Sequence, residues 1–491
     1  MDGQPAEPLT DWLDRQQKRA AERLFGAVSA THLIKQRPGF GQVVTPAPGS
    51  VLASPADANW DPEPDYFFHW LRDGALAMEA VRLLRASPQF GRLAEWELEQ
   101  YVNFSLRLAD LDGAARLAET PLWHGVATAF LQHVRDPDEV LGLRGDAVRG
   151  DVRFNPDGTL DITRWSRPQY DGVALRALGL LRCVDRRQTP EWAELIADDL
   201  DCVARNADRP CVDLWEEEEG FHCHTMLTQY AALRAGAAVA GTSSPMAATA
   251  RRQASLMGRA RLWEAAAEGL WRRLDGLRRP EGAGGWIISR VAAAGGAPVS
   301  EGKLLDASVI LGVIHAGLED GSFSPSDRLV HGTLLRLEAH YGAAFALNRR
   351  LSPHCAPHLG RNPGDVYFDG GAWPLITLAA AELRYRLAAA VARGRAPAEP
   401  VAPSLWFGEA AEQEPGAVAR LLLRAGDMGL AAVRAVTPAD GAMAEQADRE
   451  TGAPRSARDL TWSYAAFLTA AAARGEALDA MGSDAPGGDV D

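Results

Sequence analysis

No run of about 18 or more uninterrupted apolar residues occurs in this chain, so no membrane-spanning helix is expected. No Lys/Arg-rich run occurs either. Lys and Arg total 51 against 65 Asp and Glu, a formal net charge of −14. A nucleic-acid binder needs a basic face to release phosphate counterions, so neither nucleic acid nor an anionic membrane is expected as a partner. Cysteine is scarce: Cys183, Cys202, Cys211, Cys223 and Cys355 are odd in number and show no CxxC spacing. Such a set fits reduced core thiols in the cytoplasm better than a disulfide framework. The opening Met-Asp-Gly-Gln-Pro-Ala-Glu-Pro has neither a basic nor an apolar region of the kind a secretory leader needs. A P-loop is missing, and no Gly-x-Gly-x-x-Gly follows a strand, so no nucleotide cofactor is implied. His222-Cys223-His224 is not followed by further ligands at a zinc spacing, so no metal is expected.

What the chain does have is helical periodicity. About twelve segments carry it, near 8–29, 70–86, 90–111, 170–186, 190–207, 224–241, 250–277, 304–318, 325–341, 371–394, 413–435 and 459–474. Strand-like alternation is scarce, with Trp286-Ile287-Ile288 the best candidate. Odd-numbered segments are amphipathic and charge-rich, as in Asp11-Trp-Leu-Asp-Arg-Gln-Gln-Lys-Arg19. Even-numbered segments are apolar nearly all round, as in Leu305-Asp-Ala-Ser-Val-Ile-Leu-Gly-Val-Ile314. The first kind buries one stripe, the second most of its faces. Outer helices alternating with inner ones describe an all-α fold, an (α/α)6 barrel of six helical hairpins. An open solenoid would leave one face of the inner helices in water. No linker interrupts the pattern, so one domain is expected over residues 1–475. The acidic stretch 476–491 reads as a disordered tail.

Unusual residues cluster just before, or at the start of, the inner helices. Tyr66-Phe-Phe-His-Trp-Leu-Arg-Asp73 opens one, and Trp165-Ser-Arg-Pro-Gln-Tyr-Asp171 precedes another. Asp213-Leu-Trp-Glu-Glu-Glu-Glu-Gly220, then Gly360-Arg-Asn-Pro-Gly-Asp-Val-Tyr367 with Trp373, and Ala444-Glu-Gln446 with Asp459-Leu-Thr-Trp462 precede three more. In a barrel of antiparallel hairpins all inner helices start at one end, so these clusters converge on one mouth. Aromatic faces suit the C–H patches of a pyranose, and charged groups suit its hydroxyls. Two carboxylates flanking the scissile bond are the usual equipment for cutting a glycosidic linkage. Glu216 to Glu219 offer a crowded acidic run, and crowding helps hold a proton. Glu445 lies among small residues, where backbone can approach a ligand.

These motifs resemble those of glycoside hydrolase family 15, the glucoamylases, from about Gly41 to Ala472. Tyr66 to Asp73 is similar to the family's Tyr-(Phe/Trp)-(Tyr/Phe)-x-Trp-x-Arg-Asp. Trp165 to Gly172 matches Trp-x-Arg-Pro-Gln-x-Asp-Gly, and Asp213 to Glu217 matches Asp-Leu-Trp-Glu-Glu. Gly360 to Tyr367 resembles Gly-Arg-Tyr-Pro-Glu-Asp-x-Tyr. Ala444-Glu-Gln446 and Ser456 to Tyr464 resemble the last two motifs.

The resemblance implies an inverting, exo-acting hydrolase that releases β-D-glucose from non-reducing ends of α-1,4-linked malto-oligosaccharides or soluble α-glucans. It implies Glu216 as general acid and Glu445 as general base, ~6.5–9.5 Å apart to admit a water. Arg72 and Asp73 would hold the terminal glucose, with Glu217 on the leaving side and Arg361 near the cleavage point, steadied by Asp365. Tyr66, Trp70, Trp165 and Trp462 would form aromatic walls, Arg167 and Asp171 the leaving-side wall. Trp215, Tyr367 and Trp373 complete the set implied to bind substrate.

Departures from the family pattern are His69, Asn362, Gly364, the run Glu218-Glu219 and Phe221-His-Cys-His224. The leaving-side departures keep open a relative acting on trehalose or on α-1,6-linked chains. A non-catalytic sugar sensor on the same fold is a further reading, disfavoured because both glutamates are present. Oligomeric state has no signature in the sequence.

Overall fold

The computed structural model describes residues 7–59, 62–183, 189–240, 250–281, 284–395 and 414–482. Among them lie twelve helices of nine residues or more, each on a segment whose periodicity predicts one. In chain order they are α1 (Leu9–Ala27), α2 (Leu71–Leu84), α3 (Gly91–Ala109), α4 (Asp171–Arg182), α5 (Pro190–Asn206) and α6 (Cys223–Ala240). Then follow α7 (Ala250–Asp275), α8 (Ser308–Ala316), α9 (Arg328–Ala344), α10 (Pro374–Ala392), α11 (Pro415–Val436) and α12 (Thr461–Met481). No described helix is long and apolar enough to cross a membrane. No disulfide forms among the described residues, and four of the five thiols are buried.

Backbone contacts group the chain into two compact units. One comprises Leu24–Gly276 and Val291–Ala297, the other Met1–Arg23, Leu277–Arg290 and Pro298–Asp491. Helix α12 continues to Met481, so residues 476–481, expected in a frayed tail, are helical. The rest of that tail, from 483, lies outside the described residues.

In the first unit α4 packs between α2 and α6, with α3, α5 and α7 outside them. Helix α4 buries ten of its twelve residues and α5 eight of seventeen, which separates a surrounded helix from a surface one. The charge that α4 carries inward is answered. Arg176 makes a bidentate pair with Asp199 of α5, at 2.7 and 2.8 Å. Close approach is written into Gly172. A Cβ there would stand 2.7 Å from Leu71 Cβ and 2.8 Å from the Arg72 nitrogen, so α4 begins hard against the start of α2.

Between α3 and α4, where no periodicity shows, short helices at Gly113–Glu119, Pro137–Leu141 and Asp146–Arg149 close over a cluster that includes Phe40, Leu71, Phe104, Phe154 and Ile162. Two small antiparallel pairs brace the loops. Strand β1 (His69–Trp70) pairs with β2 (Arg153–Phe154), setting Trp70 opposite Arg153. Strand β3 (Cys211–Val212) pairs with β4 (Glu219–His222).

In the second unit α10 is central, packed by α8, α11 and α12, with α9 beside α8. It buries sixteen of nineteen residues. Its polar side chains find partners across helices: Arg384 pairs with Glu338 of α9, and Tyr385 donates to Asp427 of α11 at 2.7 Å. Trp12 of α1 meets Phe467 of α12 edge-on at 5.5 Å. The expected strand at Trp286 is β6 (Gly284–Ile287), paired with β5 (Arg278–Glu281). Strands β7 (Gln446–Ala447) and β8 (Pro454–Arg455) form a last pair.

Candidate active site

Glu216 stands on the loop between β3 and β4, and the local sequence builds that loop around Asp213. The Asp213 N–H donates to the Glu218 carbonyl at 3.0 Å, and the Glu216 N–H donates to the Asp213 carbonyl at 2.9 Å. The Asp213 carboxylate accepts from the Glu217 N–H at 2.8 Å. The turn places Glu216 in the left-handed region, at φ 66°. A non-glycine residue there is held at a cost of order 1–3 kcal/mol, a conformation that recurs at functional sites.

The Glu216 carboxylate receives N–H donors on both oxygens. Trp70 Nε1 donates to Oε1 at 2.8 Å and Trp165 Nε1 to Oε2 at 2.5 Å. Gln169 adds a bond to Oε1 at 3.2 Å, and Arg72 reaches Oε1 at 3.5 Å. Ser166 anchors the backbone, donating to the Glu216 carbonyl at 2.7 Å. An acid that gives up its proton here leaves a carboxylate already surrounded by donors.

Arg72 and Asp73 occupy the first turn of α2 and are both buried. Arg72 donates to Gln169 at 2.8 Å and lies 3.4 Å from Asp171 and 3.5 Å from Asp73. Burial opposes the Arg72 charge, but Asp171, Asp73 and Glu216 outweigh it and its pKa is raised. Burial also pushes the Asp73 carboxyl up to about 6, against the pull of Arg72. Tyr66 and Trp70 meet at 5.2 Å, Trp70 and Trp165 at 6.0 Å, giving a connected aromatic wall beside Glu216. Trp215 is buried next to Glu216 in the chain, and Glu217 is exposed.

Arg167, expected on a leaving-side wall, turns its guanidinium inward. Its nitrogens bond Asp151, Asp161 at 2.9 Å and the Thr163 carbonyl at 3.2 Å. These bonds tie the loop that carries Trp165 to Asp151, Asp161 and Thr163. Asp171 is the first residue of α4 and is buried between Arg72 and His224, 3.7 Å from the His224 Nδ1. Its carboxylate lies 3.4 Å from an Arg72 terminal nitrogen. The departure at His69 is also explained. Its Nδ1 accepts from the Val51 N–H at 3.0 Å, and its ring packs on Phe104 at 5.0 Å. Burial pulls its pKa down to about 3, so the ring is neutral and able to accept.

The second unit holds Glu445, Arg361, Asp365, Tyr367, Trp373 and Trp462. Glu445 is buried on the loop that enters β7, its N–H donating to the Ala457 carbonyl at 2.8 Å. The β7–β8 pairing returns Ser456 to Glu445, and the serine hydroxyl donates to Oε2. Ser456 is itself left-handed, at φ 62°, and its Oγ lies 3.4 Å from the Tyr367 hydroxyl. Arg361 makes the expected pair with Asp365, Nε to Oδ2 at 2.9 Å, and its guanidinium faces Tyr367 at 5.2 Å and Trp373 at 5.5 Å. The departure Asn362 pins this loop, donating to Asp306 at 3.2 Å and accepting from the Gly364 N–H at 3.1 Å. Trp462 is the second residue of α12, 5.9 Å from the His315 ring.

Sequence reasoning missed Gln169, Ser166, Ser456 and Arg153. The first three stand inside motifs already singled out, beside residues chosen for charge or aromaticity. Arg153 belongs to no motif.

Residues 138–472 match the model of glycosyl hydrolases family 15. A glucoamylase of Blastobotrys adeninivorans is 28% identical over 522 residues, covering 96% of this chain and 73% of its own length. An intracellular, sporulation-specific glucoamylase of Saccharomyces cerevisiae is 24% identical, covering 96% and 85%. Among solved structures, the family 15 glucoamylase from Hypocrea jecorina superposes with a TM-score of 0.71 at 24% identity, covering 95% of this chain and 72% of that one. The glucoamylase from Saccharomycopsis fibuligera gives 0.71 at 21% identity, covering 97% and 98%. These likenesses establish the fold class as all-α, of the (α/α)6 barrel type.

Proposed function

This chain belongs to glycosyl hydrolases family 15 and is a glycoside hydrolase, and from that premise we propose that it is an inverting, exo-acting enzyme of the glucoamylase type. Its substrates are α-1,4-linked malto-oligosaccharides or soluble α-glucans, and it releases β-D-glucose from their non-reducing ends. Glu216 is the general acid. It gives its proton to the glycosidic oxygen as an oxocarbenium-like centre forms. Glu445 is the general base, taking a proton from the attacking water, with Ser456 orienting its carboxylate. Arg72 and Asp73 bind the hydroxyls of the terminal glucose, which makes the attack exo-acting. Arg361, steadied by Asp365, binds hydroxyls near the cleaved bond.

The observation that carries this reading is the pair of indole N–H groups on the two oxygens of Glu216, a carboxyl built into an aromatic wall of the kind a sugar ring packs against. We place the enzyme in the cytoplasm, a reading supported by buried thiols with no disulfide among the described residues.

A substrate panel tests the proposal. Maltose, maltotriose and soluble starch should release glucose, and maltoheptaose should shorten by one unit at a time. Isomaltose and trehalose should be slower by kcat/KM. Faster turnover of trehalose than of maltose overturns the substrate assignment.

A further inference from the structure

A buried cation lies behind the aromatic wall that holds Glu216. Arg153 is fully buried, 0% exposed, in strand β2 directly opposite Trp70 of β1. Opposed residues of an antiparallel pair put their side chains on one face. Its guanidinium carbon lies 3.5 Å from the ring centroid of Trp165, 4.9 Å from that of Trp70 and 4.2 Å from that of Phe68. The two tryptophans it touches are the two that donate to Glu216.

Ion pairing alone does not account for the arrangement. Arg153 donates from Nε to Asp161 and from one terminal nitrogen to Thr163 Oγ1, both at 2.7 Å. The other terminal nitrogen, Nη1, is buried with no hydrogen-bond partner. A guanidinium built only for a buried salt bridge has its donors met by oxygen, since an unmet buried donor is costly. Asp161 also accepts from Arg167, at 2.9 Å, so it is not left alone without Arg153. Burial opposes the Arg153 charge and Asp161 supports it, with Glu216 among the carboxylates that attract it.

We infer that Arg153 is a positioning residue for proton donation: stacked beneath Trp165 and Trp70, it fixes and polarises the two indole N–H groups that hold Glu216. A cation on the face of an indole draws electron density from the ring, and its N–H becomes a stronger donor. The benefit is largest when the carboxyl loses its proton, because charge then appears on the oxygens those N–H groups face. Arg153 touches neither substrate nor the reacting atoms. This inference rests on the reading of Glu216 as the acid.

The test compares two substrates that differ in their need for the proton. Maltose must expel glucose through its O4, a poor leaving group unless protonated, and so requires general acid catalysis. α-D-Glucosyl fluoride expels fluoride with little need of it, while water attack and the base are shared. Arg153→Gln should lower kcat on maltose about 10–30-fold, the range expected of a desolvated cation–π contact. On the fluoride its kcat should change less than about 3-fold. Equal losses on the two substrates overturn the inference, because a merely structural residue damages both. Circular dichroism establishes whether Arg153→Gln folds. Where it does not, Arg153→Lys decides: it keeps the charge and loses the planar stack, and its loss should again fall on maltose. A Lys variant unchanged on maltose, or equally slow on both, overturns the inference. Glu216→Gln serves as the reference. Should it keep full activity on maltose, the assignment of the acid fails. Should it lose maltose and keep the fluoride while the Arg153 variant loses both, only the role of Arg153 fails.

Discussion

Trp165 donates its indole N–H to Oε2 of Glu216 at 2.5 Å, while Trp70 holds the other oxygen at 2.8 Å. Each bond is charge-assisted once the proton has left, and such bonds contribute about 1.5–3 kcal/mol. Trp165→Phe keeps the ring and removes the donor. The expected result is a fall in kcat on maltose of about 10–100-fold, with KM changed less, measured by steady-state kinetics. An unchanged kcat would show that the donor does nothing for the acid.

Glu445 is the proposed base, so Glu445→Gln should lower kcat by about 10²–10⁴-fold. The amide is isosteric and can still accept from Ser456. Calorimetric titration with maltose should therefore find affinity close to that of the wild type. Retention of most activity would reassign the base.

Asp73 predicts a pH dependence. Burial lifts its carboxyl to about 6, above the ordinary 3.8. Above about 6 it is ionised and accepts from sugar hydroxyls; below, it is protonated and that role weakens. kcat/KM for maltose should fall on the acid side through about 6, and Asp73→Asn should lose that limb. The sign for stability is the reverse. A raised carboxyl pKa gives a contribution fully present below the unfolded value and lost as pH rises through about 6. Melting curves across this range should show wild type losing stability relative to Asp73→Asn as pH increases.

Gly172 sets the spacing between the starts of α2 and α4. A methyl group there would meet Leu71 Cβ and the Arg72 backbone nitrogen. Gly172→Ala should displace Arg72, and displacements of about 1 Å at a site can cost ~10²-fold in rate. Kinetics on maltose, with circular dichroism to verify folding, would reveal a loss in kcat/KM. Wild-type kinetics would mean the helices can separate without consequence.

Asp199 holds Arg176 inside the first unit, where both are buried. Asp199→Ala leaves a buried guanidinium unpaired, which typically costs about 3–5 kcal/mol. Denaturant melts should show a large loss of stability, whereas Asp198→Ala, at a partly exposed position, should change little.

Legibility followed the physics of each feature. All twelve long helices could be read, the outer ones from a periodic apolar stripe and the inner ones from apolar runs too long for strands, and Arg72, Asp73, Glu216 and Trp165 drew notice because they stand in dense aromatic and acidic motifs. The bonds of Arg167 to Asp151 and Asp161 could not be read from its motif, because the acceptors lie outside it. Arg153 stayed hidden because its meaning comes from pairing across β1 and β2, which join residues distant in sequence. The short helices between α3 and α4 are too brief to show a period. Ser456 gives no sign of its bond to Glu445 until the β7–β8 pairing brings it back.

Proton NMR of the first glucose released from maltose tests the central claim most directly. Single displacement, with Glu216 as acid and Glu445 activating water, delivers the β-anomer before mutarotation can scramble it. Initial appearance of the α-anomer would mean retention, and the roles given to the two glutamates would be wrong.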